Sequence, residues 1–170
     1  MLERFFPNEY LDSIQDIDWD MYYKQGIRGI ISDIDNTLVP HGAPATPEII
    51  AYFKELHQKG IDTCLISNNK ESRVEPFAYA VESKYIFNAH KPSTKNYEKA
   101  MELMGTTKET TLFLGDQIFT DIWGANRCGI QTVMVKQIDK KEEIQIVLKR
   151  IPEKFVLWRW RKRLLKKNKE

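Results

Sequence analysis

The chain's 170 residues, of which 42% are apolar and 29% charged, amount to about one domain with enough hydrophobic material for a core, and exclude an intrinsically disordered protein. Nowhere do apolar residues run to the ~18 that a spanning helix needs, the first ten residues lack a basic stretch followed by an apolar one, and Cys64 and Cys128 are spaced neither as a zinc pair nor as CxxC. These features point to a cytoplasmic protein. The net charge of +2 conceals an asymmetry: residues 154–170 hold eight Lys and Arg against one acid, a tail of +7 on a body of −5, so an anionic partner surface is expected.

In chain order, residues 1–26 show no clear period, but Leu2, Phe5, Phe6, Tyr10, Leu11 and Ile14 offer an apolar flank that packs on the body or touches lipid. Residues 27–32 (IRGIIS) predict a strand ending at Asp33. The pair Thr46-Pro47 then opens a helix over 47–59, in which Ile50, Phe53 and Leu56 recur and Gly60 is the stop. Residues 61–66 (IDTCLI) predict a strand ending at Ser67, followed by a helix near 71–81, a weaker strand at 85–87 and a helix over 93–104. A strand at 111–114 runs into Gly115-Asp116, a helix covers 118–128, and a last strand covers 132–135. Such alternation predicts an α/β three-layer, Rossmann-like domain with a mostly parallel sheet. The expected organisation is a flank over 1–26, a domain over 27–150 and a basic, helical tail over 151–170.

Ligands of such sheets bind beyond the carboxyl ends of the strands, and Asp33, Ser67 and Asp116 each follow a strand, so three distant segments meet at one edge. A carboxylate can attack phosphorus to form an aspartyl-phosphate, and a second can protonate the leaving alkoxide and then deprotonate water. Asp33 and Asp35 in ISDIDNTL stand two apart for those roles. A phosphate dianion repels a carboxylate, so positive charge is needed: Mg2+ on Asp33 with Asp116 and Asp121 of GDQIFTD, and the ammonium of Lys91 in HKPS. Ser67 and the amides after it, including Asn68 and Asn69, can donate to phosphate oxygens. Singly, Asp33 and Asp35 could be the DxD of a sugar-nucleotide transferase, Ser67 and Asp116 helix caps, and Lys91 a surface lysine. Together they favour the phosphate site. His57, near a helix end, reads as structural, His41 and His90 adjoin the site, and Asn126 and Arg127 read as helix-surface or loop-tethering groups.

From about residue 27 to residue 135 these motifs resemble the haloacid dehalogenase (HAD) superfamily: Asp33-Ile-Asp35-Asn-Thr37 as DxDxT, then Ser67, Lys91, and the acidic pair Asp116 and Asp121. The resemblance implies Asp33 as nucleophile, Asp35 as acid/base, and Thr37, Ser67, Asn68 and Lys91 as phosphate binders. It also implies Mg2+ bound through Asp33, the backbone carbonyl of Asp35 and Asp116, with Asp121 beside or behind. The strings DIDNTLV, LISNN, HKP and GDQxxTDIxGAN look like the YqeG-type subgroup of class IIIA phosphatases, itself similar to phosphatidylglycerophosphatases, and so imply phosphatidylglycerophosphate as substrate.

Only 29 residues separate Thr37 from Ser67 and 23 separate Ser67 from Lys91, which leaves no room for an inserted cap domain. An open site suits a phosphate on a large carrier, with residues 39–45 as a flap and His41 at the mouth. The tail, FVLWRWRKRLLKK, places Trp158 and Trp160 among cations, as membrane headgroup layers favour; Leu157, Trp160 and Leu164 share a side of its wheel, with Trp158 and Leu165 next to it. The expectation is a phosphatase peripheral on the inner membrane face. A phosphatase of small metabolites or phosphoprotein remains open, as does a non-catalytic module binding RNA through its tail, nucleic acid being the weaker partner.

Overall fold

A computed structural model describes residues 1–139 and 144–167. Six strands, β1 (Glu9–Leu11), β2 (Gly29–Ser32), β3 (Asp62–Ile66), β4 (Lys84–Ile86), β5 (Thr111–Gly115) and β6 (Gln131–Val135), form one sheet in the order β1-β6-β5-β2-β3-β4. Every pairing is parallel. Strand β2 is central, with Ile31 opposite Cys64 on one side and Phe113 on the other.

Because side chains alternate along a strand, each core strand feeds two cores. Ile30, Leu65, Leu112, Leu114 and Val133 face one, closed by α1 (Trp19–Lys24), α2 (Pro47–Gln58) and α3 (Glu71–Ala80). Ile31, Cys64, Ile66, Phe113 and Met134 face the other, closed by α4 (Lys95–Met104), α5 (Trp123–Arg127) and α6 (Ile144–Lys167). This is the expected three-layer, Rossmann-like architecture. Between β2 and β3 lie only a loop and α2, and between β3 and β4 only α3, so no cap domain interrupts the described residues.

Local chemistry sets the element ends. Thr46 accepts the Ile49 N–H and Pro47 occupies the first turn of α2, while Gly60, at φ +80, takes the left-handed conformation that ends it. Where one helix over 118–128 was expected, a single π turn (Ile118–Ile122) precedes the short α5. There the Asp121 carboxylate turns back to accept the N–H groups of Asp116 at 3.2 Å and Gln117 at 3.1 Å.

The first 26 residues are woven into the fold. Strand β1 adds to the sheet beside β6, where Asn8 and Thr132 exchange backbone and side-chain hydrogen bonds. In the core closed by α1, α2 and α3, Trp19 donates to the Tyr52 hydroxyl at 2.7 Å, which donates to the Ile14 carbonyl at 2.9 Å. Asn126 donates to the carbonyls of Arg4 and Phe6, tethering the N-terminal segment. Helix α6 begins at Ile144, ahead of the expected 151–170 tail, and carries Pro152 inside it. Of the side grouped by the wheel, Leu157 is partly buried and Trp160 meets Tyr10 edge-on at 6.5 Å, while Leu164 is exposed. Residues 168–170 of that tail and 140–143 of the expected domain lie outside the described residues. No described helix is long and apolar enough to cross a membrane.

Candidate active site

After β2 the chain runs one way through β3 and β4, then returns on the other side through β5 and β6, so the sheet's switch point lies between β2 and β5. Asp33 follows β2 and Asp116 follows β5, and both side chains meet at that crevice. With Asp121 they each offer an oxygen within 4.8 Å of the others, all three buried. The close approach of Asp121 requires the glycine that ends β5, because a Cβ on Gly115 would stand 2.6 Å from the Asp121 Cβ.

Lys91 reaches this cluster from the loop after β4. Its Nζ donates to Asp33 Oδ1 and to Asp121 Oδ1, both at 2.7 Å, with 4% of its side chain exposed. Burial opposes its charge, but Asp121 and Asp33 outweigh that and hold the ammonium protonated, its pKa raised. Burial pushes Asp33 up to about 7, opposed by Lys91 and reinforced by the charge of Asp121. Burial, then the like charges of Asp121 and Asp33, push Asp116 well above the ordinary carboxylate range. Asp116 is held from two directions: Thr37 donates to Oδ1 at 3.2 Å and Arg150, from α6, donates to Oδ2 at 2.5 Å and to the Asp116 carbonyl at 2.7 Å.

The cluster's three carboxylates thus face Lys91 and Arg150, the latter shared with Glu153, so acidic groups outnumber the cations that hold them. All its donors are oxygens, which suits a hard divalent cation. A cation there would relieve the burial and repulsion that raise Asp33 and Asp116, so the residues fit a metal centre.

Asp35 lies apart from the cluster. It accepts from the Gly42 N–H at 2.8 Å, from Asn69 Nδ2 at 2.7 Å, and from Arg73 at 2.9 Å. Burial alone would raise its pKa, but Arg73 and Gly42 hold it below the usual carboxylate range. The group expected as acid/base is therefore an ion-paired carboxylate in this geometry. Gly42 belongs to the expected flap, whose backbone is joined to this carboxylate.

The remaining expected residues gather nearby. Ser67, 2% exposed, accepts the Asn69 N–H at 3.1 Å. Asn68 braces the lysine loop, its Oδ1 accepting the Lys91 N–H at 2.7 Å. Asn36, at φ +61, makes the turn after Asp35, a left-handed position that asparagine tolerates. His41 lines the cavity, whereas His57 bonds Thr63 at 2.8 Å, a structural contact.

Sequence reasoning missed Arg73, Arg150 and Glu153. Arg73 sits in the first turns of α3 with no local pattern to distinguish it from a surface residue. Glu153 is buried on α6, accepting from the Ile118 N–H at 2.7 Å and from Arg150 at 3.0 Å. It also missed that Gln145, Ile146 and Lys149 of α6 line the cavity of about 290 Å³ that opens onto Asp33, Ser67 and Lys91.

The model of a family described as haloacid dehalogenase-like hydrolase matches residues 41–129. The chain is 39% identical over 137 residues to the probable phosphatase YqeG of Bacillus subtilis, covering 79% of this chain and 80% of that one. It is 26% identical over 171 residues to the chloroplastic/mitochondrial phosphatidylglycerophosphate phosphatase 1 of Arabidopsis thaliana, covering 94% of this chain and 49% of that protein. Among solved structures, the cobalt-bound deoxy-D-mannose-octulosonate 8-phosphate phosphatase of Haemophilus influenzae matches with a TM-score of 0.54 and 15% identity, over 66% of this chain and 80% of that one, a likeness of fold. With the family matched over more than half its length and a phosphatase aligned over most of it, the chain belongs to the haloacid dehalogenase-like hydrolases and is a phosphatase of that family.

Proposed function

We propose that the chain is a magnesium-dependent phosphomonoesterase whose nucleophile is Asp33 and whose substrate is phosphatidylglycerophosphate at the cytoplasmic membrane face. An Asp33 carboxylate oxygen attacks phosphorus, the phosphorus–oxygen ester bond breaks, and the leaving alkoxide takes a proton from Asp35. Water then attacks the aspartyl-phosphate, gives its proton to Asp35, and phosphate leaves from Asp33. Lys91, Ser67 and the amides after it orient the phosphoryl oxygens. Asp33, Asp116 and the backbone carbonyl of Asp35 would hold Mg2+, with Asp121 beside them; when bound, it offsets the repulsion between phosphate and nucleophile.

The observation that carries this reading is the buried contact of Lys91 with both Asp33 and Asp121 at the sheet's switch point. Asp35 is held ionised by Arg73 and Gly42, so it acts as the acid only after taking up a proton from solvent, which loosening of those two contacts would favour. The lipid substrate is supported by the plant relative, by the missing cap, and by Lys149, an exposed cation at the cavity that would meet the second, diester phosphate of such a lipid.

The test is phosphate release from phosphatidylglycerophosphate in mixed micelles with Mg2+, beside a panel of water-soluble phosphomonoesters, for the intact protein and Asp33→Asn. Release selective for the lipid and abolished by Asp33→Asn is expected. Release from the water-soluble esters alone would remove the lipid and keep the mechanism.

A further inference from the structure

Helix α6 is inverted relative to an ordinary surface helix, which buries its apolar stripe and shows its charges to water. Its inward face is polar at the site: Arg150 on Asp116, and Glu153 on the Ile118 N–H, with Val156 the buried apolar residue. Its outward face is apolar. Ile144, Leu148, Ile151, Phe155 and Trp158 follow one another at alternating steps of four and three, which places them in one stripe, and their exposure runs from 46% at Trp158 to 76% at Ile144. Phe155 and Trp158 are in contact at 5.7 Å, and Lys162 lies over the Trp158 ring at 4.1 Å.

The charges around the stripe select its partner. Residues 144–167 contain nine Lys and Arg and one acid, Glu153, which is buried inward. Lys154, Arg159, Lys162 and Lys166 rim the stripe. A second copy of this face would set cations against cations with no acid to answer them. Nucleic acid would satisfy the rim and leave the apolar stripe in water. The boundary between headgroups and acyl chains of an anionic bilayer satisfies both.

We infer that the outward face of α6 lies flat on an anionic lipid bilayer, seating Ile144, Leu148, Ile151, Phe155 and Trp158 beneath the headgroups and its rim cations on the lipid phosphates. The docking element therefore starts well before the basic tail, and its face is opposite to the side bearing Leu157 and Trp160. The same helix lines the active-site cavity through Gln145, Ile146 and Lys149, which lie away from the stripe, so docking would anchor to the lipid surface a helix that walls the site. The surface is argued from α6 alone, and binding measured without any substrate separates its failure from failure of the lipid-substrate reading.

The experiment is co-sedimentation of the full chain with vesicles of phosphatidylcholine, with and without phosphatidylglycerol, for the intact protein, the Phe155→Ser/Trp158→Ser double variant and the Leu148→Ser/Ile151→Ser double variant. The intact protein should bind the phosphatidylglycerol vesicles, and each double variant should lose about tenfold or more in affinity. Both variants should keep far-ultraviolet circular dichroism and p-nitrophenyl phosphate hydrolysis unchanged. Absence of vesicle binding by the intact protein, or binding undiminished in both variants, overturns the proposal. A dimer in sedimentation equilibrium that dissociates in the same variants overturns it in favour of a second copy, and tight RNA binding without vesicle binding overturns it in favour of nucleic acid.

Discussion

Asp33 and Asp116 end neighbouring strands and point into one crevice, yet they are held from opposite directions. The cation on Asp33 is Lys91, from the loop after β4, so that half of the cluster is assembled by the sheet itself. The cation on Asp116 is Arg150, from a helix that follows the last strand and shows its apolar face to the outside. One half of the charge balance is thus intrinsic to the parallel sheet, while the other depends on how α6 is seated. The arrangement ties the chemistry of the carboxylates to the position of a surface helix.

The largest effect should come from the sheet-built half. Asp33→Asn should lower phosphate release by on the order of ten-thousandfold with the fold retained, measured by steady-state kinetics; a loss under about tenfold would remove Asp33 as nucleophile. Lys91→Met leaves Asp33 and Asp121 buried without their cation and should cost about 3 to 5 kcal/mol in urea unfolding. Metal should act across both halves: Mg2+ at about a hundred times its dissociation constant should add about 2.7 kcal/mol to the intact protein and nothing to Asp116→Asn, by thermal unfolding. On the α6 half, Arg150→Met should cost about 2 kcal/mol, because Thr37 still donates to Asp116 and the Ile118 N–H still donates to Glu153. If Arg150→Met proved as costly as Lys91→Met, the two halves would be equivalent and the comparison would fail. The smallest effect belongs outside both: Lys84→Ala, breaking the exposed pair with Asp62, should change stability by less than about 0.5 kcal/mol.

The same division governs what could be read from the sequence. Strands β2, β3, β5 and β6 announce themselves as short apolar runs and β4 more weakly, and the residues that follow β2, β3 and β5, namely Asp33, Ser67 and Asp116, carry chemistry at positions a parallel sheet must bring together. Strand β1 gave no such signal, because three residues hold no period and their partner β6 lies more than a hundred residues away. Arg73 and Arg150 were hidden for a related reason: each looks like a solvated helix cation until tertiary packing sets it against a carboxylate. For Asp35 the motif identified the residue but not its state, which is decided by Arg73, Asn69 and the flap amide. Helix α6 misled through its inverted face, since Arg150 and Glu153 turn inward at the site while a stripe of large apolar side chains looks outward.

The pairing of β1 with β6 at one edge of the sheet also sets an order of events. A chain emerges from the ribosome N-terminus first, so β1 waits, unpaired, until β6 has been made and has found β5. Arg150 comes later still, and until α6 settles, Asp116 is a carboxylate in a crevice with Thr37 as its side-chain donor. The nascent protein therefore acquires its nucleophile early and the second cation of its carboxylate cluster last, which makes docking of α6 the step that completes the site during biosynthesis.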